Sequence, residues 1–362
     1  MQYYFKNIAK YKNPVPLYFL CGVKYNFVNP KDDKRVVLKE YLEGKGYHCI
    51  ILEENFVINK DKNGKMLGYK FINLENLNDV ETLACMAVDG IFIIHESHST
   101  AAEIALFASN NCIAKKTFVL IPDKENAEIN HFSGFLLWGY SDLIAKREIF
   151  YPVTEKYIKN RVNVEIRTYF NKNIIGKNLS AKIDKFIDNK PDNKNLEIIE
   201  SSYGKNINNL NSYRIESNKK IHISIDLEIL RYYTIAIFNI PEFRKDFRSA
   251  NNFFEGLTIC QKWLKKLFLN TVQKHRKEDI SSLDCVFEIS NSINARLNFR
   301  KAISFILYIL HAMEWIKIDP RNEKGISISK RTDTSRGFKY IYEKYNNIIS
   351  KEDLLDRGSM YL

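Results

Sequence analysis

DGIFIIHESHSTAAEIALFAS (89–109) is the stretch on which the reading of this chain turns. GIFIIH (90–95) is a short unbroken apolar run, the pattern of a strand buried on both faces. STAAEIALFASNN (99–111) then takes a helical pattern, with Ser99 as a candidate N-cap and Glu103 within the first turn or so. Glu96, Ser97, His98, Ser99 and Thr100 crowd the turn between them. Acidic and hydroxyl groups concentrated where a buried strand meets a helix are expensive unless they are used.

Outward from this stretch the same alternation repeats. VPLYFLCGV (15–23) is an apolar run closed by Gly22, and HCIILEE (48–54) and KTFVLIPD (116–123) are further strands. DDKRVVLKEYLEGKG (32–46) and LENLNDVETLACMAVDG (74–90) read as the helices that intervene. Strands alternating with helices predict an α/β fold, a doubly wound parallel sheet of the flavodoxin-like or Rossmann-like kind, over residues 1–150. Sites in such sheets lie beyond the carboxyl ends of the strands, where Gly22, Glu53, Glu96 and Asp123 fall.

Beyond residue 151 the pattern changes. Residues 151–222 read as a linker or irregular segment with an edge strand, because 186–222 is rich in Asn, Lys and Ser. Residues 223–362 read as a mostly α domain with amphipathic runs at 227–238 and 253–272. From Leu283 to Asp319 the pattern suggests helix, turn, helix and a strand at WIKID (315–319), which ISISK (326–330) joins as a hairpin partner. That is the outline of a winged helix; an all-α dimerisation domain is the alternative.

Charge divides the chain in the same place. The net charge is +12, yet residues 1–150 hold 18 basic and 18 acidic side chains, so the whole excess lies beyond them. A polyanion partner for the C-terminal part follows, with a lysine-rich solvated surface as the bland alternative. Candidate phosphate contacts are Arg296, Arg300 and Lys301 near the start of the longest apolar helix, and Arg321, Lys324, Lys330, Arg331 and Arg336 on or beside the hairpin.

Several classes are set aside. Cysteines at 21, 49, 85, 112, 260 and 285 form no C-x-x-C pair, so neither a zinc finger nor a disulfide framework is indicated. The N-terminus has no apolar core of a signal peptide and no apolar run approaches about 20 residues, which predicts a cytoplasmic protein without a membrane span. His95 and His98 lack a distant partner set, so no metal is expected. Cleavage of a glycosidic bond typically uses two carboxylates. Glu103 and Glu96 come from the turn and its helix, and Glu81 from the preceding helix. For Glu103 alone, complementing the helix dipole is the plainer explanation.

YFLCG (18–22), Glu81 eight residues before Asp89, ESHSTAAE (96–103), IPD (121–123) and WGYSD (138–142) together resemble the nucleoside 2-deoxyribosyltransferase superfamily over about residues 14–145. The resemblance implies that Glu103 is the nucleophile at C1′, that Tyr18 orients it and that Glu81 contacts base or ribose. Gly22, Glu96, Ser97, Thr100, Trp138 and Asp142 are the implied substrate-binding set. Ser97 stands where the transferases usually have Asp, with Glu96 beside it. This departure and the domain order are similar to effector proteins of one class of bacterial retrons. That narrower resemblance implies cleavage of NAD+, as substrate and not cofactor, and a toxic antiphage role. It further implies restraint by a reverse transcriptase and its branched DNA–RNA product. A homo-oligomer is expected. A metabolic deoxyribosyltransferase or nucleoside hydrolase, and a non-catalytic nucleotide-sensing DNA-binding regulator, remain the competing readings.

Overall fold

The computed structural model describes residues 2–23, 25–55, 69–122, 148–151, 154–160, 163–168, 170, 175–189, 193–201, 211–216, 220–276, 280, 283–290, 297–319, 325–329 and 337–352. The chain divides into two compact units that interleave along the sequence: Val15–Met66 with Val88–Pro191, and Met1–Pro14 with Leu67–Ala87 and Asp192–Leu362.

The first of these is built on a five-stranded sheet. Its strands are Leu17–Cys21, His48–Ile50, Gly90–Ile94, Thr117–Pro122 and Glu148–Tyr151. All neighbours are parallel, and in chain order they lie second–first–third–fourth–fifth. LYFLC, GIFII and TFVLIP are buried at every position, because a parallel sheet is covered on both faces.

The pleat sorts these side chains between the two faces. Tyr18, Leu20, Phe92, Ile94, Phe118 and Leu120 join one core with Val37, Leu38 and Leu42 of helix Lys34–Gly44 and Leu179, Ile183 and Ile187 of helix Lys177–Asp188. Phe19 points to the other face, where its ring lies 6.5 Å from Phe107 of helix His98–Ala108. A separate antiparallel pair, Thr154–Asn160 with Asn163–Thr168, follows the sheet.

The second unit carries a four-stranded mixed sheet in the order Ile199–Glu200, Ser212–Glu216, Lys220–Ile225, Asp284–Ile289. Helices Leu227–Ala236, Pro241–Ser249, Phe253–Arg276 and Phe299–Ala312 accompany it. Helix 77–87 belongs to this unit and packs on helices 227–236 and 299–312. Near the two ends of the chain, Gln2–Phe5 pairs antiparallel with Ile349–Glu352.

Two sequence expectations are corrected here. Residues 284–289 form a strand, not the helix expected after Leu283, because Phe287 and Ile289 are buried while Glu288 is exposed, a period of two. The stretch read as a linker holds helix 177–188 and strands at 193–194, 199–200, 212–216 and 220–225. Leu179, Ile183, Tyr213, Ile221 and Ile223 supply its buried apolar side chains. The expected hairpin is present as Ile316–Ile318 against Ile326–Ile328, and helix 299–312, buried at every position from 301 to 310, packs inward. Among the described residues no helix is long and apolar enough to cross a membrane.

The hairpin's end is seated against the start of helix 253–276. Gly325 has φ +44°, and a Cβ there would lie 2.8 Å from the Asn252 Cα. Gly325→Ala therefore combines left-handed strain with a backbone clash, and is expected to destabilise by about 1–3 kcal/mol. Urea unfolding checks this; an unchanged midpoint would show that the hairpin end is not held there.

Candidate active site

Strands 17–21 and 90–94 are neighbours, but the chain leaves them in opposite directions, to strand 48–50 on one side and to strand 117–122 on the other. Where strand order reverses, the connections diverge and leave a crevice at the carboxyl ends. A cavity of about 330 Å³ occupies this place, lined among others by Gly22, Asp33, Lys34, Arg35, Ile94 and Glu96.

Its floor is a buried charge cluster. Asp33 caps helix 34–44, accepting from the Arg35 backbone N–H at 2.9 Å. The Arg35 guanidinium, only 2% exposed, donates from Nε and Nη2 to the two Asp33 oxygens at 3.1 and 3.0 Å, and from Nη1 to Glu53 at 2.7 Å. Burial works against that charge, but Asp33 and Glu53 more than offset it and hold the guanidinium above its ordinary value. Gly22 lets the arginine stem pass, since a Cβ at 22 would lie 3.0 Å from Arg35 Cδ. Beneath lies Tyr25, its ring centre 5.5 Å from the guanidinium carbon. Burial and then Glu54, to which its hydroxyl donates at 3.3 Å, push the Tyr25 phenol up.

Glu96 is the carboxylate at the rim. Lys34 Nζ donates to its Oε1, and the Tyr151 hydroxyl donates to the same oxygen at 2.9 Å. Ser97, not Ser99, is the N-cap of helix 98–108. Thr100 N–H donates to Ser97 Oγ at 3.3 Å and Ser97 N–H donates to Thr100 Oγ1 at 3.2 Å, a reciprocal box. Thr100 Oγ1 also lies 3.0 Å from Nδ1 of the fully buried His95. The hydroxyls crowding this turn thus build the helix start, and the helix fixes where Glu103 stands. Glu103 is half-buried beside the inward stripe of Thr100, Ile104 and Phe107, with Oε2 out of solvent. It is not among the residues that line the cavity.

The structure gathers Gly22, Glu96, Ser97 and Thr100 at one sheet end, where the helix that bears Glu103 begins. Tyr18 lies on the face covered by helices 34–44 and 177–188, its ring 5.5 Å from Tyr47 and 5.6 Å from Phe92, and burial pushes its phenol well up. On its strand the side chain facing helix 98–108 is Phe19. Glu81 stands on helix 77–87, in the other unit. Lys301 is buried and donates to Glu75 at 2.6 Å, with Asp79 at 3.8 Å, so its charge is committed within its own unit. Arg300 donates to Thr258 and Gln261 at 3.2 and 3.1 Å. Trp138, Asp142, Arg296, Arg321, Lys324, Lys330, Arg331 and Arg336 lie outside the described residues.

Lys34, Arg35 and Tyr151 join the site without being among the residues that the sequence marks for it. The run DDKR (32–35) ahead of a helix was the available signal for the first two. Tyr151 carried none, because only the sheet order brings it near Glu96.

A parallel sheet with a charged cavity at its point of strand reversal defines an α/β protein of the kind that holds ligands beyond the strand ends. The chain matches the STM3845 retron effector protein family over residues 31–318, the greater part of its length, and belongs to that family. It is thereby an effector of retron antiviral defence, functionally linked to the retron reverse transcriptase. None of the curated proteins matches it.

Removing the guanidinium under the cavity would strand two carboxylates, one of them, Asp33, buried. Arg35→Met is expected to destabilise by about 3–5 kcal/mol, and Arg35→Lys to recover only part of this because an ammonium cannot make the forked contact. The midpoint of guanidinium chloride unfolding checks both; a loss under about 1 kcal/mol for Arg35→Met would show that the cluster is not a structural anchor.

Proposed function

We propose that this chain is an N-glycosidase that cleaves the N-glycosidic bond of NAD+ or a related nucleotide. It would act as the toxic arm of retron defence, restrained by the reverse transcriptase and its branched DNA–RNA product. The observation that carries the reading is the charged cavity at the strand reversal, bordered by the turn that opens the helix bearing Glu103. The strand order second–first–third–fourth–fifth supports a flavodoxin-like sheet. Helix 299–312 followed by the 316–318 and 326–328 pair keeps part of a winged-helix outline, consistent with a nucleic-acid contact.

Departure of a base from C1′ passes through an oxocarbenium-like state that a carboxylate stabilises. In this reading Glu103 forms a bond to C1′ while the C1′–N bond breaks, its electron pair passing to the nicotinamide ring nitrogen. That nitrogen is cationic in NAD+, so nicotinamide leaves neutral without an added proton. Water then attacks C1′, and Glu103 is released with one proton and ADP-ribose. A neutral base on a nucleoside needs an acid to leave. Glu96, accepting from Lys34 and Tyr151 at once, is arranged as an acceptor and not as a proton donor. This favours NAD+ over nucleosides.

The test is nicotinamide release from NAD+ by the purified full-length protein. Glu103→Gln should fold as the wild type does and lose at least about 10²-fold in rate. Nucleosides should release base more slowly than NAD+ releases nicotinamide. A Glu103→Gln protein as fast as the wild type would refute the site, and base release from nucleosides with none from NAD+ would refute the substrate.

A further inference from the structure

Helix 253–276 buries Leu257, Cys260, Leu264, Leu267 and Phe268 and turns its opposite side outward. Along that side runs a groove of about 570 Å³ in which the charged side chains are Lys262, Lys265 and Lys266, flanked by Thr258, Gln261 and Gln273. No carboxylate is among the described residues that line it. Lys265 lies over the Phe287 ring at 5.4 Å and Lys266 over the Trp263 ring at 5.5 Å, which holds both stems in place. Arg300, bonded to Thr258 and Gln261, adds a guanidinium at the groove's first turn.

We infer that this groove binds the phosphodiester backbone of a nucleic acid. The inference rests on the nucleic-acid contact proposed above and gives it a surface that composition alone does not locate. Three ammonium groups with hydroxyl and amide donors, and no carboxylate among the described lining residues, suit a run of phosphates. Length argues for a polymer. From Thr258 to Gln273 the helix rises about 22 Å, enough for several consecutive phosphates and far more than one phosphate group needs. The groove offers few groups to read base edges, so binding is set by charge and not by sequence. The contrast with Lys301 sharpens the assignment, because that lysine is buried against Glu75 while the groove lysines face outward.

The test is a salt titration of fluorescent single-stranded DNA, single-stranded RNA and duplex DNA with the full-length protein, read by anisotropy. Each phosphate contact contributes about 0.7–0.9 to the slope of log K against log salt. K262A/K265A/K266A should therefore flatten the slope by about 2 and weaken low-salt binding at least about tenfold. K177A/K182A/K185A removes the same charge from exposed positions of helix 177–188 and should keep the wild-type slope. Should the triple groove variant misfold, K262Q, K265Q and K266Q singly should each lower the slope by about 0.7. Equal slopes for the groove and control variants overturn the groove while leaving a nucleic-acid partner in place. No binding of any probe by the wild type overturns that partner as well. Displacement of probe by inorganic phosphate, beyond chloride at matched ionic strength, overturns the polymer assignment in favour of a single phosphate group.

Discussion

The buried fork of Arg35 against Asp33 and Glu53 ties together the parts of the sheet end on which the site stands. One residue caps a helix, one follows strand 48–50, and the arginine between them passes close over Gly22 at the end of strand 17–21. Taking such charges out of water carries a large desolvation penalty, which only forked hydrogen bonding and a second carboxylate offset. Well-packed apolar residues of similar volume often match such a buried ionic cluster in stability. What the ionic one adds is a charged floor to a cavity at the strand reversal, with Lys34 placed by the same helix start to reach Glu96.

Around that floor, groups that look alike in sequence divide into scaffold and site. Ser97 and Thr100 close the capping box of helix 98–108, and through it set the position of Glu103. Glu96 is held by an ammonium and a phenol. The chemistry proposed for the site uses this division: one carboxylate for the cationic sugar carbon, and a leaving group that needs no proton. Membership in a retron effector family gives the chain a biological setting in antiviral defence.

Basic residues divide in the same way in the other unit. Lys301 is absorbed by Glu75 beside buried Asp79, so it helps to hold helix 77–87. Lys262, Lys265 and Lys266 lie on the outward side of an amphipathic helix whose opposite stripe is buried. The charge excess beyond residue 150 thus has at least two destinations, one internal and one facing solvent.

The sequence by itself determined four strands of the parallel sheet and the presence of the helices between them. Runs such as LYFLC and GIFII are apolar at every position, and only a strand covered on both faces tolerates that. It also placed Glu96 and Glu103, because the end of a strand and the start of a helix are local events. Tertiary structure alone decided which face each side chain took and which distant groups met. Tyr18 and Phe19 are neighbours in sequence, yet the pleat sends them to opposite layers. Tyr151 reaches Glu96 only because of the order in which the strands lie, and the assignment of helix 77–87 to the unit of helices 227–236 and 299–312 is likewise unwritten in its amphipathic pattern. Periodicity records that a face is buried; what buries it is set by contacts between residues far apart in the chain.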